Sequence, residues 1–209
     1  MINQVLGDIA GWKERGLPFH SVAINASAAE MRSEAFVNNL LEALETYGVA
    51  NHEIEVEITE GVFLAANVDA TRNSIQRMSD RGIPLALDDF GTGYASLSHL
   101  RSLPISTLKI DRSFVSGMCT STSDHAIVAA IISMGRAMDM GVVAEGIENG
   151  TQERLLKDLS CEYGQGFHFG VPVPSQEVPK LIHSWKSRNG HGLSDGIQEL
   201  SLPGRQNRA

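Results

Sequence analysis

Cysteines, basic residues and long apolar runs are scarce in this sequence, and each shortage excludes a class of protein. The two cysteines, Cys119 and Cys161, lie far apart and lack the spacing of zinc ligands, so we expect reduced, packed thiols and a cytoplasmic location. Seventeen basic residues against 25 acidic ones give a net charge of −8, which argues against DNA or RNA as partners. The longest apolar run, 126–132, is too short to cross a membrane, and no signal peptide is visible.

Apolar strand-like runs and helical periodicity alternate along the chain. An apolar fraction of 42% over 209 residues suits one domain with a sizeable core. Six short runs are typical of strands, and their polar ends are, in chain order, Asn25, Glu57, Asp88, Lys109, Glu145 and Gln165. Helices are predicted over 1–16, 27–47, 67–81, 124–140, 151–159 and 175–185, with a short one near 97–103. We expect a domain over 1–185 and a flexible tail over 186–209.

This alternation of strands and helices predicts a parallel sheet, in either a doubly wound sheet or a barrel. Polar groups at the ends of several strands favour the barrel, because a (β/α)₈ barrel carries its catalytic groups at many strand ends. A doubly wound sheet would concentrate its site at one switch point. The predicted fold class is therefore α/β, a TIM-like barrel that is incomplete, with six of eight strands present.

Residues 85–94 (Leu-Ala-Leu-Asp-Asp-Phe-Gly-Thr-Gly-Tyr) place two adjacent acids at the end of an apolar run. Neighbouring strand residues face opposite sides, so Asp88 and Asp89 reach one site only where the strand is ending. Because two adjacent carboxylates repel each other, a hard cation such as Mg²⁺ or Mn²⁺ is the natural partner. A solvated Asp-Asp turn is the alternative.

The strand ends together supply a set of oxygen donors, one amide and four carboxylates: Asn25, Glu57, Asp88, Asp89 and Glu145. Such a set suits hard divalent ions rather than zinc. Shared acids can hold two ions about 3.5–4 Å apart, which clamp a phosphoryl group during an in-line displacement.

Other polar residues near these strand ends have both a functional and a structural interpretation. Lys109 could orient a water and stabilise developing negative charge, or form an ion pair with Asp111 on the same strand face. Glu60 and Glu148 each follow a proposed ligand by three residues and could equally be helix N-terminal acids. The glycine loop, Gly91-Thr92-Gly93, could approach a ligand or be a tight turn. The amide of Gln165 could be a structural hydrogen-bonding group.

Six segments resemble the EAL domain in order and spacing. They are 22–27 (Val-Ala-Ile-Asn-Ala-Ser), 57–60 (Glu-Ile-Thr-Glu), 88–94 (Asp-Asp-Phe-Gly-Thr-Gly-Tyr), 108–111 (Leu-Lys-Ile-Asp), 144–148 (Ala-Glu-Gly-Ile-Glu) and 165–167 (Gln-Gly-Phe). The resemblance covers about 2–185. It implies a bacterial phosphodiesterase that converts cyclic di-GMP to linear 5′-pGpG in a TIM-like barrel with two Mg²⁺ or Mn²⁺ ions.

The resemblance also implies roles for individual residues. Asn25, Glu57 and Asp88 would hold one ion. Asp88, Asp89 and Glu145 would hold the other, with Asp88 shared between them.

Around the ions, the resemblance implies that Lys109 assists the attacking water and that Asp111 supports the metal and water network. Glu148 and Gln165 would position ligand or water. Glu60 would anchor the glycine loop, including Thr92 and Gly93, a segment that the family associates with dimer contact.

One family feature is absent, the Glu-Ala-Leu segment with its metal-binding glutamate and a nearby arginine. We therefore expect a fragment or a natural short form without the first two strands. Two functions follow: a cyclic di-GMP phosphodiesterase weakened by the loss of one ligand, or a non-catalytic module that binds cyclic di-GMP or a protein. Open sheet edges would also allow a homodimer.

Overall fold

A computed structural model describes residues 1–63, 68–93 and 97–189. The tail is predicted over 186–209, but residues 186–189 are helical in the structure. The rest of that tail, 190–209, the first residue of the helix predicted over 67–81, and Tyr94 lie outside the described residues. Six strands are described: β1 Val22–Ala26, β2 Ile54–Thr59, β3 Leu85–Phe90, β4 Thr107–Ile110, β5 Gly141–Ala144 and β6 Tyr163–Gly164. They form one sheet in sequence order, and the pairs β1–β2, β4–β5 and β5–β6 are parallel, as the alternating pattern predicts.

Helices fill the chain between the strands. They are α1 Ile2–Glu14, α2 Ala28–Met31, α3 Glu34–Tyr47, α4 Val68–Asp80, α5 Leu97–Ser102, α6 Arg112–Gly117, α7 Thr122–Ala137, α8 Gly150–Asp158 and α9 Val178–Asn189. The chain falls into two compact units. One contains the described parts of Met1–Leu87 and Gly93–Ile105, and the other contains Asp88–Thr92 and the described part of Ser106–Ser201.

In the first unit, the helix predicted over 27–47 is two helices. The predicted capping box is present, since Ser27 Oγ accepts the N–H of Glu30 and Glu30 Oε2 accepts the N–H of Ser27. The backbone of Ser33 is extended, so α2 stops and α3 begins. Met31 and Phe36 are both buried on either side of this break. Gly48 ends α3 in the left-handed conformation, at φ 63°, which glycine adopts without a Cβ clash.

In the second unit, α6 is a helix that hydrophobic periodicity did not predict. It is short, and its start is fixed by a polar contact, because the Asp111 carboxylate accepts the N–H of Ser113. Behind the sheet, Gly135 of α7 lies against Val142 of β5, where a Cβ would collide with the valine side chain. This close approach packs α7 directly on the strand that precedes Glu145.

The cysteines are free, as predicted, but only one of them is packed. Cys161 is buried, whereas Cys119 is exposed after α6. The expectation of two packed thiols is therefore wrong for Cys119, because the turn that holds it lies at the surface.

Candidate metal centre and catalytic site

Three of the predicted ligands form one acidic cluster in the second unit. Carboxylate oxygens of Asp88, Asp89 and Glu145 lie within 4.8 Å of one another. The backbone of Asp89 explains how adjacent residues reach one site, since its φ of 55° is left-handed rather than extended. A residue other than glycine adopts this conformation at a cost of about 1–3 kcal/mol, and such strain is concentrated at functional sites. The Asp88 carboxylate accepts the N–H of Asp89 at 3.0 Å, which fixes the turn.

The ammonium group of Lys109 is buried within this cluster. Its Nζ lies 2.6 Å from Oε1 of Glu145 and 3.4 Å from Oδ1 of Asp88, and only 4% of the lysine side chain is exposed. The ion-pair partners of Lys109 are thus Asp88 and Glu145, at the ends of the two neighbouring strands. The sequence suggested Asp111 as its structural ion-pair partner. A cation here reduces the repulsion between the carboxylates and is available to a negatively charged ligand.

Asp89 and Asp111 share a hydrogen bond, and their pKa values shift in opposite directions. Burial, together with the negative charges of Asp88 and Asp111, raises the pKa of Asp89. Burial alone would also raise the pKa of Asp111, but hydrogen bonds from the hydroxyl and N–H of Ser113 outweigh burial and lower it. Asp111 is therefore the more acidic of the two carboxyl groups. Ser113 was not among the predicted site residues, although Asp-x-Ser at a helix start is a capping signal.

Two loops that carry further predicted site residues are joined through the backbone of Ile147. Its N–H donates to the carbonyl of Gln165 at 3.0 Å, and its carbonyl accepts the N–H of His168 at 3.0 Å. The side chain Oε1 of Gln165 is buried and has no hydrogen-bond partner among the described residues. Glu148, in the neighbouring loop, is exposed. The side-chain oxygen of Gln165 is thus free to accept a hydrogen bond. The position of the Glu148 side chain depends on the backbone of the loop that carries it.

Four of the remaining predicted site residues lie in the first unit: Asn25, Glu57, Glu60 and Gly93. Asn25 and Glu57 are register partners on β1 and β2; Asn25 is exposed and Glu57 is 4% exposed. Glu60 is also buried, and its Oε2 accepts the N–H of Gly93 at 3.1 Å, which ties the glycine loop to the end of β2.

Thr92 belongs to the second unit, and its hydroxyl donates to the carbonyl of Asp89 at 2.9 Å. Within the second unit Thr92 is thus held by Asp89, and within the first unit Gly93 is held by Glu60.

The fold and this site define an α/β protein with an acidic, lysine-containing centre where its sheet strands end. The EAL domain family model matches residues 1–172, and the chain belongs to the EAL domain family. Both the predicted family and the predicted fold class are therefore confirmed.

Several relatives carry the same domain. The chain is 35% identical over 184 residues to the oxygen sensor protein DosP of Escherichia coli K12, covering 88% of this chain and 23% of DosP. It is 38% identical over 165 residues to the cyclic di-GMP phosphodiesterase NbdA of Pseudomonas aeruginosa, covering 79% of this chain and 21% of NbdA. The solved MucR phosphodiesterase in complex with cyclic di-GMP matches with a TM-score of 0.79 at 33% identity, covering 85% of this chain and 71% of that chain. The chain spans between 21% and 29% of the length of the curated relatives it matches.

The described helices do not meet the requirements of a membrane span. None of them combines the length and the apolar character that crossing a bilayer requires.

Proposed function

We propose that this chain hydrolyses cyclic di-GMP to linear 5′-pGpG in a metal-dependent reaction. The observation that carries the proposal is the cluster of Asp88, Asp89 and Glu145 around the buried ammonium of Lys109. Membership of the EAL domain family, the relative named a cyclic di-GMP phosphodiesterase and the MucR complex with cyclic di-GMP support the same reaction.

The donor set fits a hard divalent cation. Three carboxylate oxygens within 4.8 Å of one another can share an ion, and carboxylates are preferred ligands of Mg²⁺ and Mn²⁺. In this proposal Asn25, Glu57 and Asp88 hold one ion, and Asp88, Asp89 and Glu145 hold a second. When bound, such ions supply Lewis-acid stabilisation of phosphoryl oxygens and a nucleophile at neutral pH.

The protein's own groups then orient the reactants. Lys109, fixed by Glu145 and Asp88, donates hydrogen bonds to the attacking water and to the oxygens on which negative charge develops. Asp111 supports this arrangement through its hydrogen bond with Asp89.

Two further groups bind the substrate or its water. The buried Oε1 of Gln165 accepts a hydrogen bond from the ligand, and Glu148 contributes a carboxylate from the neighbouring loop. Glu60 holds the glycine loop against the end of β2, so that Thr92 and Gly93 keep a fixed position at the site.

The two free cysteines support a cytoplasmic location in this proposal, because secreted domains usually pair such residues. The resemblance also implies a homodimer through the glycine loop, and light scattering at several protein concentrations tests that part separately.

The test is incubation with cyclic di-GMP and Mn²⁺, followed by separation of the nucleotides. Linear product that disappears in Asp88→Ala supports the enzyme. Tight binding of cyclic di-GMP without turnover would replace the enzyme by a non-catalytic binding module. If the folded chain neither binds nor hydrolyses cyclic di-GMP, the proposed function is wrong.

A further inference from the structure

A buried amide lies beneath the loop 145–149, which carries Glu145 and Glu148. Gln152, in the first turn of α8, is only 4% exposed. Its Oε1 accepts the N–H of Glu148 at 2.8 Å and the N–H of Asn149 at 3.2 Å. We propose that Gln152 is a positioning residue that fixes this loop for the reaction, an inference that rests on the proposed function.

The other end of the same amide contacts a different part of the site. Nε2 of Gln152 donates to the carbonyl of Val115 in α6 at 3.5 Å. Helix α6 is the helix whose N-cap is Asp111. One side chain therefore connects the loop after β5 with the helix that starts at Asp111. This connection requires an amide, because a carboxylate has no hydrogen to donate to Val115.

Helix capping alone does not account for these contacts. In a capping box the third helical residue accepts the N–H of the N-cap residue, which here is Asn149. The side chain of Asn149 itself accepts the N–H groups of Thr151 and Gln152, both at 3.1 Å. The bonds from Gln152 to Glu148 and Val115 are additional and act on the loop and on α6.

A displacement of this loop would also reach Gln165. Ile147, in the middle of the loop, exchanges backbone hydrogen bonds with Gln165 and His168. Gly166 lies so close to Ile147 that a Cβ would overlap with the isoleucine backbone. Ile147 therefore packs the loop that carries Glu145 against the loop that carries Gln165. Gln152 holds the first of these loops through its hydrogen bonds to Glu148 and Asn149.

Two substitutions at position 152 separate the contributions of the amide. Gln152→Met keeps the length of the side chain and removes all its hydrogen bonds. Gln152→Glu keeps the acceptor for Glu148 and Asn149 and loses the donor to Val115. The control is Ser121→Ala, which removes the hydroxyl that accepts the N–H of Asp124 and caps α7. This control destabilises a helix start without touching the loop.

For each variant, three quantities are measured besides Tm: the rate of cyclic di-GMP hydrolysis with Mn²⁺, resolved into kcat and KM, the affinity for Mn²⁺ alone, and hydrogen exchange at the amides of Glu148 and Asn149. Gln152→Met should lower kcat by about tenfold or more with a much smaller change in KM, since misplaced groups mainly affect the transition state. It should also weaken Mn²⁺ binding and speed exchange at both amides. Gln152→Glu should keep the amide protection and more of kcat. Ser121→Ala should lower Tm and leave the three quantities unchanged.

The inference is overturned if Gln152→Met behaves like Ser121→Ala, with lower Tm but unchanged kcat and amide exchange. Wild-type protein that fails to hydrolyse cyclic di-GMP would instead contradict the proposed function. In that case amide exchange and Mn²⁺ affinity decide the inference by themselves: faster exchange with weaker binding in Gln152→Met supports it, and no change in either overturns it.

Discussion

Nζ of Lys109 lies 2.6 Å from Oε1 of Glu145, so the charge on β4 is paired with the carboxylate that follows the neighbouring strand β5. The same ammonium lies 3.4 Å from Asp88, and only 4% of the lysine side chain is exposed. One buried cation therefore links two of the acids that the proposal assigns to the metals.

Replacement of this cation is the first prediction. In Lys109→Met, Glu145 and Asp88 lose a common partner, and removal of one member of a buried ion pair costs about 3 kcal/mol of unfolding free energy. Turnover should fall by about 100-fold or more, because a group that donates to the developing charge is lost. Urea unfolding with EDTA and product separation measure the two effects. Lys157→Met, which breaks the more exposed pair with Glu153, is the control and should cost less than about 1 kcal/mol. Equal losses in the two variants would contradict the prediction.

Metal binding should stabilise the fold through the acidic cluster. At a Mn²⁺ concentration 100-fold above Kd, the wild-type protein should gain about 2.7 kcal/mol, seen as a rise in Tm. Asp88→Asn should abolish most of this gain, whereas the exposed Asp158→Asn should retain it. Thermal scans with and without Mn²⁺ provide the measurement. A gain that survives in Asp88→Asn places the metal elsewhere.

The glycine loop should depend on the acceptor that Glu60 presents to Gly93. Glu60→Ala removes the acceptor and should speed exchange at the Gly93 amide, with turnover lower by about tenfold. Glu60→Gln keeps a carbonyl oxygen at this position and should preserve the protection. Hydrogen exchange read by mass spectrometry distinguishes the two, and unchanged protection in Glu60→Ala would exclude the anchor.

Lowering the pH should remove the contribution that Glu53, just before β2, makes to the free energy of unfolding. Burial alone would raise the pKa of Glu53, but the hydrogen bonds from Lys13 and from the Ala50 backbone outweigh burial and lower this pKa below its ordinary 4.5. The ionised form is therefore favoured by folding. Its contribution is complete above pH 4.5 and is lost as the pH falls through the lower, folded-state value. Glu53→Gln should be less stable than wild type at pH 7, by about 0.5 kcal/mol because Lys13 is partly exposed, and equally stable in strong acid. Denaturant unfolding as a function of pH is the check.

The two thiols should react at very different rates. Burial raises the pKa of Cys161 to about 11, so this thiol is seldom ionised and is also inaccessible. Cys119 is exposed. Maleimide should label Cys119 in the native protein and both thiols after denaturation, and Cys119→Ser should resist native labelling. Rapid native labelling of Cys161 would show that its site opens.

Much of the fold could be predicted because the relevant signals are local. The periodicity of apolar residues located all six strands, and the Ser27-to-Glu30 capping box and Gly48 marked helix ends correctly. Short structural features without an apolar pattern were harder to predict from the sequence. The break at Ser33 is a short extended segment of backbone, and the helix that begins after Asp111 depends on a side-chain hydrogen bond; neither leaves an apolar period.

The sequence by itself determined which groups are available: polar residues at the strand ends, two adjacent acids and a glycine loop. Only the tertiary structure decided how they meet. Lys109 pairs with Glu145 rather than with a neighbour on its own strand, and Gln152 bridges to Val115; both contacts join residues that are distant in sequence. The left-handed backbone at Asp89 is a conformation that the periodicity of apolar residues does not report. The pattern of apolar residues determines whether a residue lies in a helix or a strand and which face it occupies. The partner of a polar group is decided instead by strand register and packing.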